Sequence, residues 1–327
     1  MSATTLEAPP APPGPARSRR LRDPAFWADW AALVGLIGLT VVFQSLNSSF
    51  LSSGNVQSIL VASAILVILS VGQTFTIATG GIDLSVASVM TFSAVVLGWT
   101  FAEGWSLPLC LGAAVLAGLV FGAVNGALIA KGRIPDFVVT LGSLSAASGL
   151  ALILADGKPT TVISPFLLRL STQGVGIVGY TFLLAVVLAL LAHVLLFHTR
   201  FGTHVLAAGG SPEAATATGI STARIKVAVY TLSGTLAGLA GILLVARIGA
   251  SSPAADTTMT LNIVAAVVLG GVSLLGGRAT IIGPVLGALV LTVLVNGLTL
   301  VGVSQFYQPL SVGIVVVLAA LLMRFQK

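Results

Sequence analysis

Residues 199–226 read TRFGTHVLAAGGSPEAATATGISTARIK, a polar interruption between two runs apolar enough to cross a bilayer. Inside it, Ser211-Pro212-Glu213 spells a helix start. A serine hydroxyl takes up free backbone N–H groups, proline suits the first helical position, and glutamate is favoured at the positive end of the helix dipole. Ala214, Ala215 and Ala217 follow, and Gly219 suits a left-handed stop. These residues predict a helix of about two turns, too short to be stable alone in water. A short, smooth-faced helix between two membrane spans reads as a docking element for a soluble partner. The rest of the chain then reads as a gated path that the contact moves.

Composition sets the class. The chain is 56% hydrophobic and 7% charged, with a mean hydropathy of +1.08. A soluble domain carries roughly 25% charged residues, so this is a polytopic membrane protein. Its apolar runs are continuous rather than alternating, which predicts an all-α fold and not a barrel. The lone Cys110 sits in an apolar run, fits no disulfide or metal pattern, and reads as a small core residue. The net charge of +6 does not imply nucleic acid. The basic residues gather at the ends of apolar runs, a topology signal, and no basic groove with interleaved aromatics is present.

Residues 1–25 are Pro-rich and then Arg-rich and read as a disordered cytoplasmic tail; 26–327 read as one transmembrane domain. Ten spans are predicted: Phe26–Leu46, Val56–Thr79, Leu84–Phe101, Leu107–Ala130, Phe137–Ala155, Tyr180–His198, Ile225–Ile248, Met259–Leu275, Ile281–Leu300 and Phe306–Met323. With both termini cytoplasmic, every Lys and Arg except Lys158, Arg169 and Arg247 falls inside, which obeys the positive-inside rule. It also puts the 199–226 segment in the cytosol. The second to fifth and the seventh to tenth spans form two four-span blocks of opposite orientation, the arrangement of an inverted repeat. In the outer segment 156–179, Pro159, Pro165 and Gly174 exclude one long helix and leave a short surface helix near Pro165–Leu170.

Gly80 and Gly81 break one helix, and Asp83 can sit in the first turn of the next. Asp83 reads either as a structural cap or as a proton- or cation-coupling carboxylate. No acidic residue lies at the centre of a predicted span, where insertion would cost roughly 2.5–3.5 kcal/mol. Gln73, Asn125, Asn262 and Asn296 are polar residues within spans. They either tie helices together or line a path for an uncharged, hydroxyl-rich solute, and the two roles are compatible. Glycines recur at packing intervals: Gly118-Gly122-Gly126, Gly234-Gly238-Gly241 and Gly283-Gly287. Gly270-Gly271 and Gly276-Gly277 bracket the inner end of the eighth span and would permit a bend there. No HExxH, GxSxG or paired CxxC occurs, so no catalytic residue is predicted. His193, His198 and His204 lack ligand-spaced partners, so no metal site is predicted. No GxxxxGK[ST] occurs, so energy from ATP would have to come from another polypeptide.

Five ordered segments carry a resemblance. Residues 80–86 (GGIDLSV) look like GGIDLSVGS, and 134–142 (IPDFVVTLG) are similar to IPPFIVTLG. Ala208-Gly209-Gly210 with Glu213-Ala214-Ala215 and Gly219-Ile220 resembles a cytoplasmic coupling loop. Residues 264–271 (VAAVVLGG) resemble IAAVVIGG, and Asn296-Gly297-Leu298 recurs near the end. From about Phe50 onward the chain resembles the permease subunits of bacterial ABC importers for monosaccharides, the ribose/xylose/arabinose/galactose group. The resemblance implies a homodimeric, multi-pass permease of the bacterial inner membrane. Its implied partners are a cytoplasmic ATPase, which holds ATP and Mg, a periplasmic sugar-binding protein, a second permease copy and the bilayer. The permease itself carries no cofactor. Gly209, Gly210, Glu213, Ala214, Ala215 and Gly219 would couple to the ATPase. The sequence departs from the pattern at Ala87, Asp136, Thr260 and Asn262, the last two standing where the family often has Glu and Asp. The alternatives are a stand-alone ion-coupled secondary transporter and an ABC permease for nucleosides or branched-chain amino acids.

Overall fold

A computed structural model describes residues 24–254 and 256–323. The expected disordered tail lies outside the described residues, except Pro24 and Ala25, which already begin the first helix. Uninterrupted apolar sequence gives helices α1 (Pro24–Leu46), α2 (Ser53–Ala78), α3 (Val86–Ala102), α4 (Leu107–Gly132) and α5 (Asp136–Leu154). The segment after α5 carries α6 (Pro165–Thr172), where the proline spacing predicted a short helix. Then come α7 (Tyr180–Phe197), α8 (Arg200–Gly210), α9 (Pro212–Ala217), α10 (Thr222–Ile248), α11 (Thr257–Leu269), α12 (Ile282–Leu300) and α13 (Gln308–Met323). Two small antiparallel ladders complete the order: β1 (Thr160–Thr161) with β4 (Ala250–Ser251), and β2 (Gly174–Val175) with β3 (Val178–Gly179).

Among the described residues six helices, α2, α4, α5, α7, α10 and α12, are long and apolar enough to cross a membrane. The third predicted span is matched to within two residues at either end, and the eighth is shorter than expected. The helix α3 has 17 residues and α11 has 13. At 1.5 Å per residue these are about 25 and 20 Å long, less than a hydrocarbon core of about 30 Å. The eighth span was drawn to Leu275, but α11 stops at Leu269; Gly271, Gly276 and Gly277 then adopt left-handed φ in an irregular turn. Hydropathy alone could not see that stop, because Val272, Leu274 and Leu275 keep the run apolar.

Long α10 is the centre of the packing, touching α2, α3 and α4. Its closest neighbour is α4, and the glycine rows explain why. A Cβ at Gly118 would meet the Gly234 carbonyl, and one at Gly234 the Gly118 carbonyl; Gly122 lies likewise against Tyr230 and Gly238 against Ala114. Small residues let these two backbones touch, so dispersion and not side-chain interdigitation holds the pair. The same device joins α11 to α12, where Gly287 lies on the Ala266 carbonyl and Gly283 on that of Gly270.

The two ends of the bundle differ. One end carries both ladders, with Gly98 of α3 against Ser251 and Thr160, and Asn55 of α2 paired with Asn296 of α12. The opposite end gathers the end of α2, the start of α5, the start of α10, the α8–α9 segment and the turn at Gly276-Gly277.

Candidate functional site

The polar interruption folds as two short helices. The unpredicted one is α8: the Thr199 hydroxyl accepts from the Gly202 N–H at 3.3 Å and caps it. Its apolar residues Val205 and Ala208 are buried, so the wet-looking stretch has an inward face. The predicted helix is α9. The Ser211 hydroxyl accepts from the Ala214 N–H at 3.2 Å, Pro212 opens the helix, and Gly219 at φ 86° ends it. Pro212, Glu213, Ala214 and Gly219 are exposed, whereas Ala215 is 4% exposed and faces the bundle. Gly209 does not belong to that exposed face, and Gly210, though exposed, packs beside it. A Cβ on Gly209 would fall on the Ala78 carbonyl, and Gly210 lies against Gly277. The Gly277 N–H donates to Ala78 at 3.0 Å, and Gly276 sits against Gly80 and Gly209. A junction of five glycines thus ties α8 to the end of α2.

Beyond Ala78 the chain enters the loop that carries Gly80, Gly81 and Asp83. Gly80, at φ 76°, turns the chain out of α2. The expected place of Asp83, in the first turn of the next helix, is corrected: Ser85 is the N-cap of α3, and Asp83 lies two residues earlier. Its carboxylate accepts from the Ser85 N–H at 3.0 Å and hydroxyl at 2.6 Å, and from the Ser233 hydroxyl of α10 at 3.1 Å. Asp83 is 2% exposed. Burial pushes its carboxyl above the ordinary range, against the downward pull of the hydrogen bonds from Ser85 and Ser233. With its side-chain amide turned so that nitrogen faces the carbonyl, Gln73 holds the loop backbone, donating to the Asp83 carbonyl and accepting from the Asp83 N–H, both at 3.1 Å. Asn125 donates to the Ser85 hydroxyl at 3.0 Å and accepts from Ser143.

The four span amides do not converge. Gln73 and Asn125 are buried in this network, and Asn296 pairs with Asn55. Only Asn262 opens onto a cavity of about 820 Å³. Ile82 and Leu84 of the loop form one wall of it, and aliphatic residues of α11 and α13 form others. Its polar groups are Asp256, Thr258, Asn262, Gln305 and Gln308. Thr260, one turn into α11, donates to the Leu84 carbonyl at 3.5 Å. Gly270 packs on Gly283 and Pro284, while Gly271 at φ 78° follows the end of α11. Among the described residues no group of three His, Cys, Asp or Glu side chains could hold a metal ion.

One cluster escaped the reading of the sequence. Asp136, the first residue of α5, accepts from Lys226 Nζ at 3.1 and 3.2 Å and from the Tyr230 hydroxyl at 2.9 Å. Asp136 had stood out only as a departure from a motif. Its partners lie 90 and 94 residues away, so no local signal pairs them.

Comparison with known proteins follows the geometry. The family model described as branched-chain amino acid transport system / permease component matches residues 55–323. The ribose import permease protein of Bacillus subtilis (strain 168) is 38% identical over 88% of this chain and 89% of that relative. The ribose import permease protein of Escherichia coli (strain K12) is 36% identical over 86% of the chain and 89% of its own length. The L-arabinose ABC transporter permease protein of Azospirillum brasilense is 35% identical, with 88% and 86% covered. No solved structure matches the chain.

Proposed function

The chain belongs to the branched-chain amino acid transport system / permease component family, and from that premise we propose that it is the permease subunit of an ATP-driven importer for a monosaccharide or similar polyol. It works in the bacterial inner membrane as one of two permease copies. A cytoplasmic ATPase binds ATP and Mg and drives it, and a periplasmic binding protein delivers the solute. The observation that carries this reading is the α8–α9 segment. An exposed, capped helix bearing Glu213 is joined through a glycine junction to the loop holding Asp83. Force applied at α9 therefore has a short mechanical route into the bundle.

Ten crossings in two inverted blocks are part of the reading. Support comes from matching parts. In the first block α2 is followed by Asp83, two residues before the Ser85 cap of short α3; in the second α10 is followed by Asp256, itself the cap of short α11, whose first residues are Thr257 and Thr258. Asp83 binds the Ser85 N–H and hydroxyl, and Asp256 binds those of Thr258 at 2.9 and 2.6 Å. Transporters with inverted repeats commonly break helices in corresponding positions. The cavity beside Asn262 is the solute path, and its neutral Asn and Gln groups suit an uncharged polyol.

The test is reconstitution. Permease in proteoliposomes with its ATPase and binding protein should take up sugar only when ATP is supplied. Uptake by the permease alone under an imposed pH gradient would overturn the reading in favour of a secondary transporter.

A further inference from the structure

Resting on the permease reading above, we infer that Asp136, Lys226 and Tyr230 form a clamp that makes the start of α10, the start of α5 and the Asp83 loop move as one body. The three are positioning residues for transport: they set the geometry through which the docking helix acts on the buried loop.

The route is short and continuous. Only residues 218–221 separate α9 from α10. Lys226, Tyr230 and Ser233 stand at i, i+4 and i+7 on α10 and so share one face. All three reach across to the same region. Lys226 and Tyr230 hold the Asp136 carboxylate, and Ser233 holds that of Asp83. From the other side α5 grips the loop. Thr140, one turn beyond Asp136, donates to the Ile82 carbonyl at 3.3 Å. A Cβ on Gly81 would fall on the Asp136 carboxylate and within 2.6 Å of the Tyr230 hydroxyl, so the loop backbone lies directly on the clamp.

Burial explains why the cluster sets geometry more than stability. The Asp136 and Lys226 side chains are 17% and 30% exposed, and Tyr230 is fully buried. At such a site the cost of desolvating the charges offsets much of their attraction. What remains is directional: one carboxylate satisfied by two donors a helical turn apart fixes the register of α5 on α10. Removing one partner leaves a half-buried charge uncompensated and frees the helices to slip.

Wild type, Asp136→Asn, Lys226→Met, Tyr230→Phe and the exchange Asp136→Lys with Lys226→Asp are reconstituted with the ATPase and binding protein. The readout is solute moved per ATP hydrolysed. ATP hydrolysis should stay near wild type, while solute per ATP falls about tenfold in Asp136→Asn and Lys226→Met and about threefold in Tyr230→Phe. The exchange should restore part of the loss, and a merely structural role would lower the amount of folded complex while leaving solute per ATP unchanged. If all three single variants keep the wild-type ratio, the clamp is overturned. Should the charge variants fail to insert, Tyr230→Phe decides alone, because it removes only a hydroxyl; an unchanged ratio there also overturns it. A wild-type complex showing no ATP-dependent uptake would instead remove the permease reading.

Discussion

At the scale of the residue, glycine and asparagine decide most. Gly118 lies where a methyl would meet the Gly234 carbonyl, whereas Gly142 on α5 has nothing within 4 Å of its would-be Cβ. Gly118→Ala should therefore destabilise the protein by about 1–3 kcal/mol through overpacking. Gly142→Ala, with open space around it, should be neutral or slightly stabilising, since alanine is the better helix former. Thermal unfolding in detergent compares them. Asn125 bridges Ser85 and Ser143 between α4, the start of α3 and α5. Asn125→Leu strands the Ser143 hydroxyl and removes the amide donor to Ser85, whose hydroxyl still donates to Asp83, and should cost about 1–3 kcal/mol by the same measurement. The sequence marked Gly118 and Gly234 as packing glycines and Asn125 as a polar amide in a span. It could not say which face of each helix they occupy or whom they meet.

At the scale of the element, the helix signals near residue 211 worked because they are local. A cap, a proline and a glycine stop act within a few residues of chain, and α9 formed where they predicted it. Ser211→Ala should lose about 1 kcal/mol of local stability, read as faster hydrogen exchange at the Ala214 amide. Glu213→Lys leaves that cap intact but reverses the charge on the exposed face. The variant should insert normally and lose ATP-dependent uptake; wild-type uptake would count against docking at α9. By contrast α8 was missed because its sequence is polar enough to pass for a linker. Only the bundle end below it supplies the apolar contact that makes Val205 and Ala208 an inner face. The eighth span was overdrawn because irregular backbone packed in protein needs no polar sequence, only partners. Here the Ala78 carbonyl accepts from the Gly277 N–H, as Thr140 and Thr260 bond the carbonyls of the loop before α3.

At the scale of the whole molecule, the charge pattern predicts the orientation. The lone Cys110 is buried, which makes a cysteine-free background simple to build with Cys110→Ala. Single cysteines at Thr216 and at Thr172 should then react with a membrane-impermeant reagent from opposite sides, Thr216 from the cytoplasm. Labelling of both from one side would break the ten-span arrangement. Composition and the spacing of apolar runs were enough to determine a helical membrane protein, its glycine-packed seams, its short capped helix and, with five motif segments, its family. These follow from interactions within a turn or two of chain, or from the bilayer acting as solvent on every residue alike. Tertiary structure alone decided that α11 ends early, that α8 exists, that only Asn262 among four amides meets the cavity, and that Asp136 is held by Lys226 and Tyr230. Each of those rests on a contact between residues far apart in the chain, and the free energy of such a contact appears only when packing has brought both partners out of the lipid and against each other.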